Sequence, residues 1–330
     1  MSKALPAALA RLHELAGPDL DLTNRIIMER LDSQVEMIPQ LGTHLIQSGG
    51  KRLRPLLTLV AARMFGYSGE RHALLAAVVE FIHTATLLHD DVVDHSSTRR
   101  GRATANSMWG DKAPVLVGDF LFSRAFQMMV EHGDLRVLKI VADACAVISE
   151  GEVLQLVVSH RLDTTEEQYL KVVSGKTATL FAAATEIGAV INEVDDAIRQ
   201  RLAEYGLLLG MAYQVVDDAL DYDAEQETLG KTVGDDFQEG KITLPLIHAF
   251  RHGSEEERGF WLRCIEGRDY PEGALQRAIA LVRERGSVRY ALERAETFAQ
   301  QAVRALGDLP PSPGREALIG VAEFTIRRRY

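Results

Sequence analysis

Cysteine, surplus positive charge and long apolar runs are all scarce in this chain. Two cysteines, Cys145 and Cys264, stand among 330 residues, which excludes a disulfide framework and suits a reducing compartment. Lysine and arginine total 37 against 47 aspartates and glutamates, a net charge of −10. No positive surplus is therefore available for a nucleic-acid backbone. The longest apolar stretches, Leu56–Ala62 (LLTLVAA) and Leu74–Val79 (LLAAVV), are too short to span a bilayer. Arg11, His13 and Glu14 interrupt the N-terminus where a secretory signal needs a continuous apolar core. Strand-like alternation with hairpin signals, internal repeats and linker-like segments are also missing. What remains is 46% hydrophobic and 25% charged residues, enough for a sizeable core and a soluble surface. The expectation is a cytoplasmic, globular protein whose function must be read from its sites.

Helical periodicity runs through most of the chain. Residues 21–48 place apolar side chains three and four apart, with Thr23 or Asn24 as a cap and Pro39 as a kink or a split. Gly49 and Gly50 end that helix, and Pro55 opens the next, which runs to about Met64. Residues 71–93 are apolar on three faces, the pattern of a helix buried nearly all round. Segments 113–131, 135–158, 166–190, 195–225, 274–305 and 314–328 repeat the 3.6 period. The reading is all-α: one domain over residues 1–330, a helical bundle around a central cavity, with residues 1–20 a loosely packed N-terminal segment.

Two aspartate clusters carry the chemistry. They are Asp90-Asp91-Val92-Val93-Asp94 and Asp217-Asp218-Ala219-Leu220-Asp221. In each, the first and last aspartate are four apart, so both carboxylates leave one helical face. Their apolar flanks make uncompensated carboxylates costly, and clustered hard oxygen ligands suit Mg²⁺ that bridges to substrate phosphates. With 21 aspartates in the chain, one DDxxD is expected by chance roughly 0.08 times, so a pair is a specific signal. Two solvated helix ends are the plainer explanation, and the apolar flanks weigh against it. Asp195-Asp196, with Arg199 four residues on, reads as a helix N-terminus. Asp235-Asp236 lies in a polar, glycine-bounded loop and reads less clearly as a metal site.

A second constellation is basic. Gly49-Gly50-Lys51-Arg52-Leu53-Arg54-Pro55 puts three cations on a loop entering a helix, where backbone N–H groups also face an anion. Arg99-Arg100-Gly101-Arg102 follows the first aspartate cluster. Lys176-Thr177, Lys231 and Gly240-Lys241 add cations in glycine-containing turns. For any one lysine, surface charge is the simpler explanation. Together they supply two kinds of diphosphate site, one reached through metal and one held directly by Arg and Lys.

GGKRLRP (49–55), HTATLLHDDVVD (83–94), RRGRATAN (99–106), GKTATLF (175–181), YQVVDDALDY (213–222) and GKITLP (240–245), in this order, resemble the trans-isoprenyl diphosphate synthase family. The resemblance runs from about residue 21 to the end, departs at no motif position, and is strongest to the long-chain bacterial branch of octaprenyl and solanesyl type. It implies a Mg²⁺-dependent prenyltransferase, a homodimer, that adds isopentenyl diphosphate repeatedly to an allylic diphosphate of farnesyl size or shorter. The expected product has eight or nine isoprene units, serves as a ubiquinone side chain and passes to membrane enzymes.

Residue by residue, the resemblance implies an isopentenyl diphosphate pocket of Lys51, Arg54, His83 and Arg100. A buried structural histidine is the alternative for His83, although seven residues place it two turns from Asp90 on the same face. The resemblance implies allylic diphosphate contacts at Arg99, Lys176, Lys231 and Lys241. Thr177 and Gln214 are implied to face the developing allylic cation. Asp90, Asp94 and Asp217 are implied as ligands of three Mg²⁺ ions, with Asp91, Asp218 and Asp221 acting behind them or through water. Ala85 and Thr86 are small where short-chain synthases place an aromatic ring, so the product tunnel is expected to continue past them. Phe122, Ala125, Phe126 and Met129 form a stripe that is ordinary core packing or a tunnel wall, with Phe126 and Met129 the candidates for its floor. A terpene cyclase would pair one DDxxD with an Asn/Ser/Glu motif, a head-to-head condensing enzyme would lack GGKRLRP, and a non-catalytic subunit would have lost aspartates.

Overall fold

The computed structural model describes residues 7–47, 50–99, 101–223 and 234–327. The described chain is helical apart from a two-stranded antiparallel ribbon, β1 (Thr98–Arg99) and β2 (Arg102–Ala103), which turns through Gly101 at φ 72°. By the density of its contacts the chain divides into two compact units, each assembled from three separate segments. The first takes Met1–Cys145, Leu180–Gly206 and Ala305–Val321; the second takes Ala146–Thr179, Leu207–Arg304 and Ala322–Tyr330.

The first unit opens with α1 (Ala7–Arg30), which corrects the expectation of a loose N-terminus. Leu9, Leu12 and Ala16 are buried. Thr23 caps nothing, because it lies inside this helix and bonds back to the Asp19 carbonyl. Arg63 holds Asp19 from the next layer at 2.6 and 2.8 Å. The helix read over 21–48 is split, the second of the two outcomes expected of Pro39, but the break falls at residues 31–36, ahead of the proline. After α1 ends, α2 (Met37–Gln47) begins afresh, with Pro39 in its first turn, where a missing N–H costs nothing. Its C-terminal stop at Gly49 lies outside the described residues, and Gly50 is non-helical as expected. Next come α3 (Leu53–Arg63), α4 (Arg71–Val93), α5 (Ala105–Trp109) and α6 (Lys112–His132). As its three apolar faces require, α4 is buried on most sides, among α1, α3 and α6.

By length and composition, α4 and α6 could each cross a membrane, which the short runs alone did not indicate. In α4, however, 72% of the most apolar window is already buried inside the protein. The long α7 (Leu135–Val158) begins in the first unit and ends in the second.

The second unit holds α8 (Glu166–Val173), whose Thr165 and Gln168 form a reciprocal N-terminal cap. A π turn follows at Ser174–Ala178, and α9 (Thr179–Val190) returns to the first unit. The single period read over 166–190 therefore conceals an i→i+5 interruption at the Lys176-Thr177 pair. The remaining helices are α10 (Asp196–Leu220), α11 (Asp235–Gln238), α12 (Leu244–His252), α13 (Glu255–Trp261), α14 (Ala274–Glu284), α15 (Ser287–Ala305) and α16 (Pro313–Arg327), of which α10 starts in the first unit and α16 lies mostly in it. Segment 274–305 is two helices, broken at Gly286 with φ 65°. A core of Tyr169, Val215, Tyr222, Phe237, Trp261 and their neighbours fills the second unit.

Candidate active site

In the first unit, the last turn of α4 carries the first aspartate cluster. Asp90 and Asp94 are half-buried, and the Asp94 N–H bonds to the Asp90 carbonyl at 2.8 Å, fixing the helix end. Asp91 turns inward and is fully buried. Its Oδ1 accepts from Arg99 Nε at 2.7 Å, while its Oδ2 has no hydrogen-bond partner among the described residues. Burial pushes the Asp91 carboxyl upward, Arg99 opposes this, and the charges of Asp90 and Asp94 reinforce it. Asn106 donates to the Asp91 and Ser96 carbonyls at 3.1 and 3.0 Å and so ties down the turn after α4. Arg99, implied as a diphosphate contact, thus also serves as the counter-charge of a buried carboxylate. Arg100 lies outside the described residues.

The basic loop divides its three cations between two jobs. Arg52 sits in the left-handed region at φ 48° and forms an ion pair with Glu80, both side chains nearly buried. Arg54 is stacked 4.3 Å over the Phe181 ring and donates from its guanidinium to His83 Nε2 at 3.0 Å. Since a guanidinium can only donate, His83 is an acceptor there, and Lys51, Arg54 and His83 belong to the same unit. Sequence reasoning missed Arg52–Glu80, because nothing in GGKRLRP marks which cation turns inward.

In the second unit, Asp217 and Asp218 lie in the last turn of α10 and Asp221 just beyond it, and Asp218 lines a hollow of about 590 Å³, partly open to solvent. Gln155, Tyr169, Lys176, Thr177, Gln214, Asp218, Asp236 and Lys241 are among the residues that line it. The π turn brings Lys176 and Thr177 to its wall, where Lys176 donates to Glu152 at 2.7 Å. Gly151 on α7 permits this, since a side chain there would meet the Lys176 backbone nitrogen at 2.6 Å. Thr177 Oγ1 donates to Gln214 Oε1 at 3.0 Å. Gln214 Nε2 donates to Asp218 Oδ1 at 2.7 Å, and the buried Tyr169 phenol donates to Asp218 Oδ2 at 2.5 Å. Burial pushes Asp218 up to about 6 against those two hydrogen bonds, and Asp221 up to about 7.

Asp236, which had the weaker metal reading, joins this cluster. Burial and the charges of Asp221 and Asp218 drive its carboxyl upward, and its backbone N–H donates to Asp221 Oδ2 at 3.1 Å. Lys241 opposes that rise, its backbone N–H bonds to the Asp236 carbonyl, and its ammonium pairs with Glu239 at 2.5 Å. Lys231 lies outside the described residues.

On the tunnel candidates, Ala85 is fully buried and Thr86 bonds back to the His83 carbonyl. The stripe on α6 is divided: Ala125 and Met129 are buried, while Phe126 is 40% exposed.

The carboxylates fit a hard, oxygen-loving ion. Buried Asp91 leaves one oxygen without a donor, and each cluster offers oxygens only. Among the described residues, no three His, Cys, Asp or Glu side chains converge closely enough to hold an ion by themselves. Such a donor set suits Mg²⁺, which keeps water and takes phosphate oxygens alongside one or two carboxylates.

A sequence model of the family described as Polyprenyl synthetase matches residues 35–282. The octaprenyl diphosphate synthase of Escherichia coli (strain K12) is 47% identical over 323 residues, 97% of this chain and 99% of that one. A polyprenyl synthase from Caulobacter crescentus CB15, solved with calcium and isoprenyl diphosphate, superimposes with a TM-score of 0.95 at 49% identity, covering all of both chains. A decaprenyl diphosphate synthase from Rhodobacter capsulatus gives 0.93 at 48% identity, covering 98% of this chain and 99% of that one. The chain belongs to the polyprenyl synthetase family.

Proposed function

We propose that this protein is a long-chain trans-polyprenyl diphosphate synthase, adding isopentenyl diphosphate head-to-tail onto an allylic diphosphate until eight or nine isoprene units are joined. The observation that carries this reading is that each compact unit presents a DDxxD helix end together with cations. Relatives named for octaprenyl and decaprenyl products support the long-chain assignment.

In this reading Lys51, Arg54, His83 and Arg100 bind isopentenyl diphosphate. Phe181 and His83 hold the Arg54 guanidinium in place for that task. Arg99, Lys176, Lys231 and Lys241 bind the allylic diphosphate and neutralise it as it departs. Asp90, Asp94 and Asp217 are the metal ligands, and Asp91, Asp218 and Asp221 orient them. Bound Mg²⁺, three ions per site, would stabilise negative charge on the leaving diphosphate. Thr177 and Gln214 turn oxygen toward the developing cation, and apolar walls exclude the water that would quench it. The proton lost from isopentenyl diphosphate goes to the released diphosphate. Ala85 and Thr86 leave the tunnel open, and Phe126 and Met129 close it.

A cytoplasmic homodimer with a single domain per chain, supplying membrane enzymes of ubiquinone synthesis, completes the proposal. Leu116, Val130 and Leu135 of α6 and α7, each at least 67% exposed, supply apolar surface for pairing. Light scattering and cell fractionation check the dimer and its location. The central experiment incubates the purified protein with farnesyl and isopentenyl diphosphates and Mg²⁺, then sizes the product by mass spectrometry. A C40 or C45 diphosphate is expected; a cyclised hydrocarbon, or no product, overturns the assignment.

A further inference from the structure

The hydrogen bonds behind Thr177 have a fixed direction, and that direction is set far from the substrate. An ionised carboxylate only accepts. Asp218 Oδ1 therefore demands the NH₂ end of Gln214, at 2.7 Å. The carbonyl end of Gln214 must then face Thr177, 3.0 Å away, and the Thr177 hydroxyl can satisfy it only by giving its proton. Whatever enters the hollow lined by Thr177 and Gln214 consequently meets oxygen lone pairs on Thr177 and never its proton. The remaining oxygen of Asp218 takes the proton of Tyr169 at 2.5 Å, from a phenol only 3% exposed. Every donor in the chain Thr177–Gln214–Asp218 points toward Asp218, and Tyr169 is the second donor that pins the carboxylate in that pose.

We infer that Tyr169 is a positioning residue that locks the polarity of this chain, so that the Thr177 oxygen is presented, electron pairs first, to a cationic allylic centre. The inference deepens the proposed function and rests on it. Without the phenol, Asp218 Oδ2 is a buried anionic oxygen with no donor, a costly state that frees the carboxylate to turn. The Gln214 amide is then released to flip, its NH₂ group faces Thr177, and the Thr177 proton swings into the hollow. A positive dipole end would meet the cation in place of a negative one. Only discrimination for positive charge changes; the shape of the pocket does not.

Tyr169→Phe removes one oxygen and no volume. The readout is the affinity for an unreactive allylic diphosphate analogue carrying an ammonium at the reacting carbon, divided by the affinity for its uncharged isostere. That ratio should fall about tenfold, the effect of one buried hydrogen bond near 1.4 kcal/mol, while the isostere binds as before. In turnover, kcat should fall and the KM for isopentenyl diphosphate should stay put. Thr177→Val should lose the same preference, and the double variant should be no worse than Thr177→Val alone, since Tyr169 acts through Thr177. An unchanged ratio in Tyr169→Phe, or additive losses in the double variant, overturns the inference. Should Tyr169→Phe fail to fold, Thr177→Val decides alone: a wild-type ratio there refutes it. Wild-type protein that forms no prenyl product would defeat the functional reading itself, a result distinct from all of these.

Discussion

At the scale of single residues, Arg99 joins an observed task, pairing with Asp91, to a proposed one, binding the allylic diphosphate. Its guanidinium compensates buried Asp91, so Arg99→Ala should lower the melting temperature as well as weaken allylic diphosphate binding. The cause is an uncompensated buried carboxylate, a defect that commonly costs about 3–5 kcal/mol when fully desolvated and less here, because Arg99 is one-third exposed. Adding Asp91→Asn should restore the melting temperature and leave the binding defect in place. If the double variant regains both, Arg99 only supports Asp91.

Asp221 makes a second residue-level prediction. Its carboxyl is raised to about 7 by burial, from an ordinary value of 3.8. The folded protein therefore holds a proton there that the unfolded chain has already lost near pH 4. Stability from this group falls as pH rises from about 4 to 7 and is flat above. In Mg²⁺-free buffer, Asp221→Asn should raise the melting temperature at pH 8 and leave it nearly unchanged at pH 4. An equal gain at both values would place Asp221 in water.

Among the elements, what the sequence disclosed followed periodicity closely. The buried helix 71–93 was read to its ends because it is apolar all round and has one aspartate cluster as its stop. The stretch 244–266 was missed because α12, α13 and a second π turn (Leu262–Glu266) are each under ten residues, too short for a period to register. The π turn at Lys176 was invisible for another reason: it lies against Gly151, a pairing no local pattern announces. Likewise the aspartates of the clusters stood out as motifs, whereas Tyr169 lies 49 residues from the carboxylate it serves. Short-range signals name the groups proposed to meet substrate; the groups that hold those in place are dispersed along the chain.

Helix-level chemistry also frames product length. Ala85 lies five residues before Asp90, so Ala85→Phe should stop the product at about three or four units if α4 lines the tunnel. Met129→Ala on α6 should lengthen it by one or more units. Because Met129 is buried, the void should cost about 2–5 kcal/mol if dry and less if lipid fills it. In the double variant the ring at residue 85 must prevail. Mass spectra showing unaltered length in Ala85→Phe would remove α4 from the tunnel.

On the scale of the whole molecule, each compact unit borrows its segments from distant parts of the sequence. Neither unit is one uninterrupted piece of chain, so neither can be excised from the sequence as a single fragment. We expect a single calorimetric transition whose van't Hoff and calorimetric enthalpies agree, and two resolved transitions would refute the single-domain reading. Composition reached an acidic, core-rich globule because that depends on totals, and periodicity added the all-α class. The interleaving escaped it, since periodicity locates helices without saying which of them share a core.

That interleaving has a consequence for how the protein is born. The first unit is closed by Ala305–Val321, where the buried Tyr205 hydroxyl donates to the Leu318 carbonyl at 2.7 Å. A ribosome delivers those residues long after α4, a long apolar helix, has left the exit tunnel. Domains that end early in a sequence fold while translation continues; this one must wait for its third segment, Ala305–Val321. Throughout that delay an apolar helix built to be enclosed has no finished core to enter, so a nascent chain of this enzyme is a natural client for chaperones.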